Sequence, residues 1–368
     1  MMTSRLLALI SPLALVVPPT RTPPLSVGPD PFVMVHVEVA PGVHAFLETE
    51  MNAIVSSNII AVIGTRDVLV YDSGHHPLET RAVVESLQTL TDKPVRYLVV
   101  SHWHDDHWVG NAEFARAWPR LTVVAHPFTA RLMESRKEVF RGDACRAELE
   151  DGEQELRGIL ERGTRPDGSP LPDASLARTR RFLDGFVSER GQCDTREYRG
   201  VDLEVADSLT LDLGGRQVQL RFLGRGNTAG DLVAILPEQR IVLTGDVLVS
   251  PFPFATQSYI SEWSRVLRRV ERMQPSIIVP GHGTVEHDLT YLRDVAETLE
   301  SIERQARVAY RPLMSVDSLR ARIDLAPLAE RFSHGDPFLK ANFDYMLTQL
   351  AIERMWQELA GQLKPEGI

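Results

Sequence analysis

Residues 101–107, with the sequence SHWHDDH, place four potential metal ligands within a few positions of one another. His102 and His104 point the same way out of an extended segment, whereas Asp106 and His107 turn into the next loop. Imidazole nitrogens and carboxylate oxygens are the donors that a zinc-like divalent ion prefers. Two ligand pairs at this spacing predict two adjacent metal positions rather than one.

The residues before this motif provide its support. Residues 95–100, VRYLVV, are a short β-branched run bounded by polar residues, which predicts a buried strand. The ligands then begin where the strand ends, so that a rigid sheet edge can aim them inward.

Two other apolar runs end in ligand-type residues. Residues 241–246, IVLTGD, end in Asp246, and residues 277–283, IIVPGHG, carry His282 between two glycines. Glycine lets the backbone bend tightly, so that the next side chain can approach an ion. A lone His after a strand is usually structural, but three such strand ends predict convergence on one edge of the fold.

These motifs, with GNTAGD at 226–231 and YDSG at 71–74, closely resemble those of the metallo-β-lactamase superfamily. The resemblance covers about residues 40–290 and is specific for the fold rather than for the substrate. It implies an α/β protein built as a four-layer αββα sandwich, with two sheets between outer helices.

The resemblance also implies two metal sites bridged by Asp246. Their other ligands are, in the first site, His102, His104 and a third histidine and, in the second site, Asp106, His107 and His282. Here Asn227 occupies the position of the third histidine, and its neutral amide oxygen is a much weaker zinc ligand than imidazole. We therefore expect one firmly held Zn²⁺ at the second site and a looser ion at the first, where Asn227 is a doubtful ligand.

The expected chemistry is hydrolysis. A bound Zn²⁺ lowers the pKa of its water to about 7, so a single metal can sustain hydrolysis. Asp106 is the candidate catalytic residue, because it could orient that water or accept its proton as well as bind metal. The leading prediction is a zinc-dependent hydrolase of an ester, thioester, lactone or amide-type small molecule.

Three alternatives stay open at this stage. The true β-lactamase subclasses carry Cys or Ser at the position of Asp246, which lowers β-lactam cleavage as the native task without excluding it. Iron-dependent oxidation of sulfur compounds is weakened by the loss of the third histidine. Asn227 favours a non-catalytic metal-binding scaffold, which the intact second site opposes.

Composition and the N-terminus bear on partners and location. The 368-residue chain has a net charge of −10, whereas a protein that follows a phosphate backbone needs a basic stripe, so we expect a small-molecule substrate and no nucleic acid. Residues 1–31 resemble a secretion signal and a Pro-rich linker, with an apolar stretch too short for a stable membrane span. They predict a periplasmic or secreted protein, or a cytoplasmic one if the leader is not a signal.

Strand and helix signals alternate over residues 32–288, which we predict as the metallo-β-lactamase-fold domain. A charged helical insertion interrupts it at about 128–198. Cys145 and Cys193 lie in this insertion and would form a disulfide in an exported protein but stay reduced in the cytosol. Helical spacing over residues 289–368 predicts a C-terminal helical extension.

Four further residues lie close to the motifs. The family resemblance implies that Asp72 is a buried acid that hydrogen-bonds the ligand loops, with a direct ligand role as the alternative. His75 and His76 could reach the substrate or replace the missing imidazole, although two exposed loop histidines are the favoured interpretation. Arg225 would either bind an anionic substrate group or form a surface ion pair.

Overall fold

The structure is a computed structural model that describes residues 34–48, 56–164, 170–171, 173–363 and 366. The leader and linker predicted over residues 1–31 lie outside the described residues, and their assignment stays a prediction.

The first half of the chain builds a seven-stranded sheet in which the strands are adjacent in chain order. The strands are β1 (Val35–Ala40), β2 (Val43–Leu47), β3 (Ile59–Ile63), β4 (Val68–Tyr71), β5 (Val95–Val99), β6 (Thr122–Ala125) and β7 (Leu203–Glu204). The strands from β1 to β4 are antiparallel, and those from β4 to β7 are parallel. Helices α1 (Pro77–Leu90) and α2 (Asn111–Ala117) contribute apolar residues to the core on its outer face, as parallel strands require.

The second half builds a five-stranded sheet in the order β12-β11-β10-β9-β8. The strands are β8 (Ser208–Asp212), β9 (Gln217–Phe222), β10 (Leu232–Leu236), β11 (Ile241–Val249) and β12 (Ile277–His282). Neighbours from β8 to β11 are antiparallel, and helix α6 (Ile260–Arg272) forms the crossover that brings β12 parallel to β11.

The two sheets share one core, and helices cover both outer faces. On β5, Val99 belongs to the core between the sheets, while Leu98 belongs to the core beneath α1 and α2. On β11, Leu243 lies between the sheets, and Val242 lies in the outer core with Trp263 of α6. Because successive side chains of a strand face opposite ways, each strand serves two cores. The predicted four-layer αββα sandwich is confirmed.

Three helices follow β6, where the sequence predicts the insertion: α3 (Pro127–Arg136), α4 (Gly142–Arg162) and α5 (Asp173–Gln192). A disulfide joins Cys145 near the start of α4 to Cys193 directly after α5. Of the two states left open for these cysteines, the structure shows the paired one. The insertion is therefore a covalently closed unit beside the first sheet.

Helices dominate after β12, as the spacing predicts. They are α7 (Thr290–Ala309), α8 (Val316–Arg320), α9 (Ala326–Ser333), α10 (Pro337–Phe343), a π-helical segment (Asp344–Ala351) and α11 (Ile352–Ala360). The periodic residues Leu292, Val295, Leu299 and Ile302 are buried in the outer core shared with α6. Within the described ranges, no helix has both the length and the apolar character needed to cross a membrane.

Candidate metal centre

Three strands carry the predicted ligands, which meet at one edge of the sandwich. β5 leads into His102, His104 and a 3₁₀ turn at Asp105–His107, and His282 ends β12. Asp246 does not end its strand as the sequence predicts, because β11 continues to Val249. The two sheets are joined here, because the Leu232 backbone N–H donates to the Ser101 carbonyl at 2.8 Å. The backbone thus holds the ends of strands from different sheets together.

The second predicted ligand set is compact. His282 Nε2 lies 3.1 Å from Asp106 Oδ2, and His107 Nε2 lies 3.4 Å from the same oxygen. Asp246 Oδ1 lies 3.3 Å from His107 Nε2 and 3.4 Å from His282 Nε2. The donor atoms of Asp106, His107 and His282 all lie within 4.8 Å of one another, which is the spacing of ligands around one ion.

The first predicted set adjoins it through the same aspartate. His102 Nε2 lies 2.8 Å from His104 Nδ1 and 3.6 Å from Asp246 Oδ2. One oxygen of Asp246 thus faces His102 of the first set, and the other faces the second set. This is the arrangement that a bridging carboxylate needs.

Asn227 is buried, with its side-chain amide donating to the Phe254 carbonyl. Its Oδ1 atom is buried without a hydrogen-bond partner among the described residues. Gln257, from the same loop as Phe254, receives a 3.1 Å contact from His104 Nε2. His104 of the first set therefore contacts a neutral amide, whereas His282 of the second set contacts the carboxylate of Asp106.

Asp72 fixes the orientation of the ligand loop, as predicted. Its Oδ1 accepts a hydrogen bond from the Ser101 backbone N–H at 2.7 Å, and its Oδ2 accepts one from His107 Nδ1 at 2.8 Å. A proton held at Nδ1 leaves Nε2 of His107 as the atom available to a metal. Asp72 is fully buried, so this bond is shielded from water.

Two glycines make the close approach of the strand ends possible. A Cβ atom at Gly281 would lie 2.1 Å from Asp246 Oδ1, and one at Gly245 would lie 2.5 Å from Ser101 Cβ. Gly245 also has a φ of 51°, a backbone conformation that L side chains rarely adopt. Both positions admit glycine alone without displacing the Asp246 carboxylate or the ligand loop.

The centre combines buried charges of opposite sign. Burial opposes ionisation of Asp246, but the charges of His282, His107 and His102 outweigh it and hold its pKa well below the usual range. Burial likewise opposes protonation of His107, but Asp106, Asp72 and Asp246 raise its pKa to about 10. The carboxylates thus favour a positive charge between them. Without a metal ion, they favour the protonated forms of His107 and His282.

The donor set passes a further test for a divalent metal. His107 Nε2 and Asp246 Oδ1 are buried and lack hydrogen-bond partners within the described part of the chain, although they lie 3.3 Å apart. Buried polar atoms are nearly always paired, so two such atoms facing one space indicate a missing ligand. Nitrogen and carboxylate donors suit a divalent transition metal.

Some neighbours differ from the sequence expectation. His76 is 2 % exposed, so the interpretation of His75 and His76 as two exposed loop histidines is wrong. His75 and His76 lie close to Glu189 of α5, which belongs to none of the sequence motifs.

Arg225 forms an exposed ion pair with Glu262, which confirms the second of its two interpretations, a surface ion pair. Neither Glu189 nor Gln257 stands in a pattern that the sequence alone would mark.

Residues 53–282 match the family profile described as the metallo-beta-lactamase superfamily. A metallo-beta-lactamase type 2 from Bacteroides fragilis is 31% identical over 83 residues, which cover 21% of this chain and 33% of that protein. The match thus spans only a third of the curated relative's length.

Solved structures give a second comparison. The match to a metallo-beta-lactamase from Pontibacter korlensis covers 73% of this chain and 99% of the matched chain, with 19% identity and a TM-score of 0.48. The match to the inverting sec-alkylsulfatase Pisa1 from Pseudomonas sp. covers 89% of this chain and 50% of the matched chain, with 14% identity and a TM-score of 0.60. At that identity the second match shows a shared fold.

Members of this superfamily are metal-dependent hydrolases and usually bind divalent metals. The matched region extends over more than half of the chain and includes all three strand ends that carry the candidate ligands. The chain therefore belongs to the metallo-beta-lactamase superfamily.

Proposed function

We propose that the protein is a zinc-dependent hydrolase of a small molecule with an ester, thioester, lactone or amide-type bond. The observation that carries this proposal is the meeting of Asp106, His107 and His282, with their donor atoms within 4.8 Å, beside the buried carboxylate of Asp246. These residues would hold a zinc ion, which would supply a water of lowered pKa and polarise a carbonyl when bound.

The two predicted metal positions have unequal support. Asp106, His107, His282 and Asp246 would hold the first-filled, tightly bound zinc, because they combine two charged carboxylates with two imidazoles. His102 and His104, with Asp246, would hold a second and looser zinc. The partnerless Oδ1 of Asn227 is its remaining candidate ligand from this chain.

Asp106 is the proposed catalytic residue. Its side chain is 17% exposed, whereas that of Asp246 is 4% exposed, so Asp106 is the acid that substrate and water can reach. Burial opposes its ionisation, but the charges of His107 and His282 hold its pKa well below the usual range. We assign it the orientation of the attacking water, while Asp246 and Asp72 hold the imidazoles in place.

β-Lactam hydrolysis is the second candidate function. The 31% identity to a metallo-beta-lactamase type 2 over 83 residues favours it. Asp246 counts against it as the native task, since the true β-lactamase subclasses carry Cys or Ser at the matching position. A screen of substrates therefore has to include both classes.

A reporter screen tests the proposal. Zinc-loaded protein would be offered thioester, lactone, aryl ester, cephalosporin and alkyl sulfate reporters, and the same reporters would be offered to His282→Ala. His287→Ala, which changes an exposed histidine nearby, is the matched control. We expect zinc-dependent turnover of a carbonyl reporter that His282→Ala loses and His287→Ala keeps. Equal turnover in His282→Ala, or no turnover by zinc-bound protein, would contradict the proposal.

We further propose that the protein is exported. The paired Cys145 and Cys193 support this, because disulfides persist in oxidising compartments, and so does the signal-like sequence of residues 1–31. Cell fractionation with thiol counting on the recovered protein tests the idea. A reduced protein recovered from the cytosol would overturn it.

A further inference from the structure

A second cluster of ligand-type side chains lies outside the centre described above. His75 and His76 stand in the loop between β4 and α1, and Glu189 projects from α5 of the insertion. His75 Nε2 lies 3.2 Å from Glu189 Oε1. One ligand atom from each of the three residues lies within 4.8 Å of the other two, which matches the spacing seen in the principal centre.

This cluster is buried, and one of its atoms lacks a partner. Glu189 is 1 % exposed, and its Oε1 accepts a hydrogen bond from the buried Arg196. Its Oε2 is buried without a hydrogen-bond partner among the described residues. A buried carboxylate oxygen left unpaired costs free energy comparable to a lost charged hydrogen bond, so a ligand at Oε2 would satisfy it.

The surrounding charge is compatible with a cation. Arg196 donates to the same Glu189 oxygen that His75 contacts and also to the Phe140 carbonyl, which leaves Oε2 as the Glu189 atom available to an ion. The acid Glu148 of α4 interacts electrostatically with both His75 and Glu189. It supplies a second negative charge against the guanidinium and the incoming ion.

We propose that His75, His76 and Glu189 bind a further divalent cation, with zinc as the best match to two imidazoles and one carboxylate. This site shares no ligand with the principal centre. It joins α5 of the insertion to the loop that follows β4, and thus fastens the insertion beside the catalytic edge. Its occupancy does not depend on what the principal centre hydrolyses.

The test separates the two sites by removing the principal one. Asp246→Asn combined with His282→Ala would be equilibrated with zinc, desalted and analysed by mass spectrometry for metal. We expect about one zinc per chain to remain, and His76→Gln added to this background to remove it. His287→Gln in the same background is the matched control, since His287 is exposed.

Crystals of zinc-soaked wild-type protein give a second readout that needs no variant. Anomalous scattering at the zinc edge should place a peak between His76 and Glu189, separate from any peak at Asp106 and His282. Zinc should also slow proteolysis within residues 127–192 in the double variant but not after His76→Gln. Absence of that anomalous peak, or no zinc on the folded double variant, would show an ion-paired network only and overturn the proposal.

Discussion

The two halves of the metal centre are built from the same strand ends but not with the same chemistry. The second set, Asp106, His107 and His282, contains an acid and two imidazoles, and His107 is oriented by the buried Asp72. The first set has two imidazoles, and His104 contacts the neutral Gln257. The family resemblance predicts Asn227 as its third position. Charge and orientation are therefore concentrated on one side of Asp246.

In a site bridged by one carboxylate, the metal affinity of one half can fall while the other half keeps its ligands. Asp246 presents a separate oxygen to each set, so the loss of an imidazole on one side leaves the other side complete. The shared carboxylate then contributes to the attraction for an ion at both positions. We expect the largest effect from changing the bridge and smaller effects from changing either flank.

Asp246→Asn should break both halves at once. We expect loss of tightly bound zinc and a fall in kcat/KM of roughly 100-fold or more, because even residues that only support a ligand contribute 10–100-fold. Metal analysis after desalting and steady-state kinetics measure this. A variant that keeps its zinc would show that Asp246 is not the bridge.

His282→Ala and His104→Ala compare the flanks directly. We expect His282→Ala to lose the zinc that survives dialysis against a chelator, and His104→Ala to retain it, because the complete acid-imidazole set lies on the side of His282. Zinc retention by His282→Ala with loss in His104→Ala would reverse the assignment of the tight site.

Asp72→Asn tests the support of the stronger half. Asparagine removes the charge that His107 Nδ1 faces at 2.8 Å, so zinc affinity should fall by roughly 10–100-fold with the ligands themselves unchanged. Competition with a chromogenic zinc chelator measures the affinity. Asp92→Asn is the control, because Asp92 is almost fully exposed, and an equal loss there would exclude a specific role for Asp72.

Asn227→His should restore the third imidazole of the first set, which is the weaker half of the centre. We expect a second zinc to bind more tightly, by on the order of 10-fold, because imidazole replaces a neutral oxygen. Calorimetric titration counts the zinc ions and their affinities, with Asn227→Ala as the control that should change little. If Asn227→Ala stripped zinc as fully as His104→Ala, the amide would be a full ligand.

A pH series probes the packing under the stronger half. Burial raises the pKa of Glu79 from 4.5 to about 8 in the folded protein, where its carboxyl group contacts Ser56. A raised folded-state pKa gives stability that is complete below pH 4.5 and is lost as pH rises to about 8. Glu79→Gln should remove this loss, which is about 1.4 kcal/mol per pH unit within that window.

Denaturant unfolding at several pH values measures this effect. Glu85→Gln on the same helix is the control, because Glu85 is exposed and should leave the slope unchanged. A wild-type slope that survives Glu79→Gln would assign the effect to another group.

The strand-end ligands were predictable because each belongs to a local pattern. Apolar runs lead directly into His102, Asp246 and His282, and a strand followed by a polar ligand is legible within a few residues. The layers of the sandwich followed from the alternation of strands and helices and from the family resemblance. The buried position of Asp72 followed from the family resemblance of its turn motif.

The missed features depend on contacts between distant segments. Glu189 lies on a charged helix and becomes buried only because α5 packs near His76. Strand β8 exposes most of its side chains and β7 has two residues, so neither shows an apolar pattern. Within the helical extension predicted over residues 289–368, Asp344–Ala351 is π-helical, which a periodicity of three and four residues does not distinguish from an α-helix.

The glycines at 245 and 281 constrain how this protein can change. Any side chain at Gly281 would meet the Asp246 carboxylate, and one at Gly245 would meet Ser101. Neither position can therefore accept another residue without moving the ligands. New substrate preferences would have to arise in the elements around these glycines, such as the helices of residues 127–192. An engineer seeking altered selectivity should randomise those helices and leave both glycines untouched.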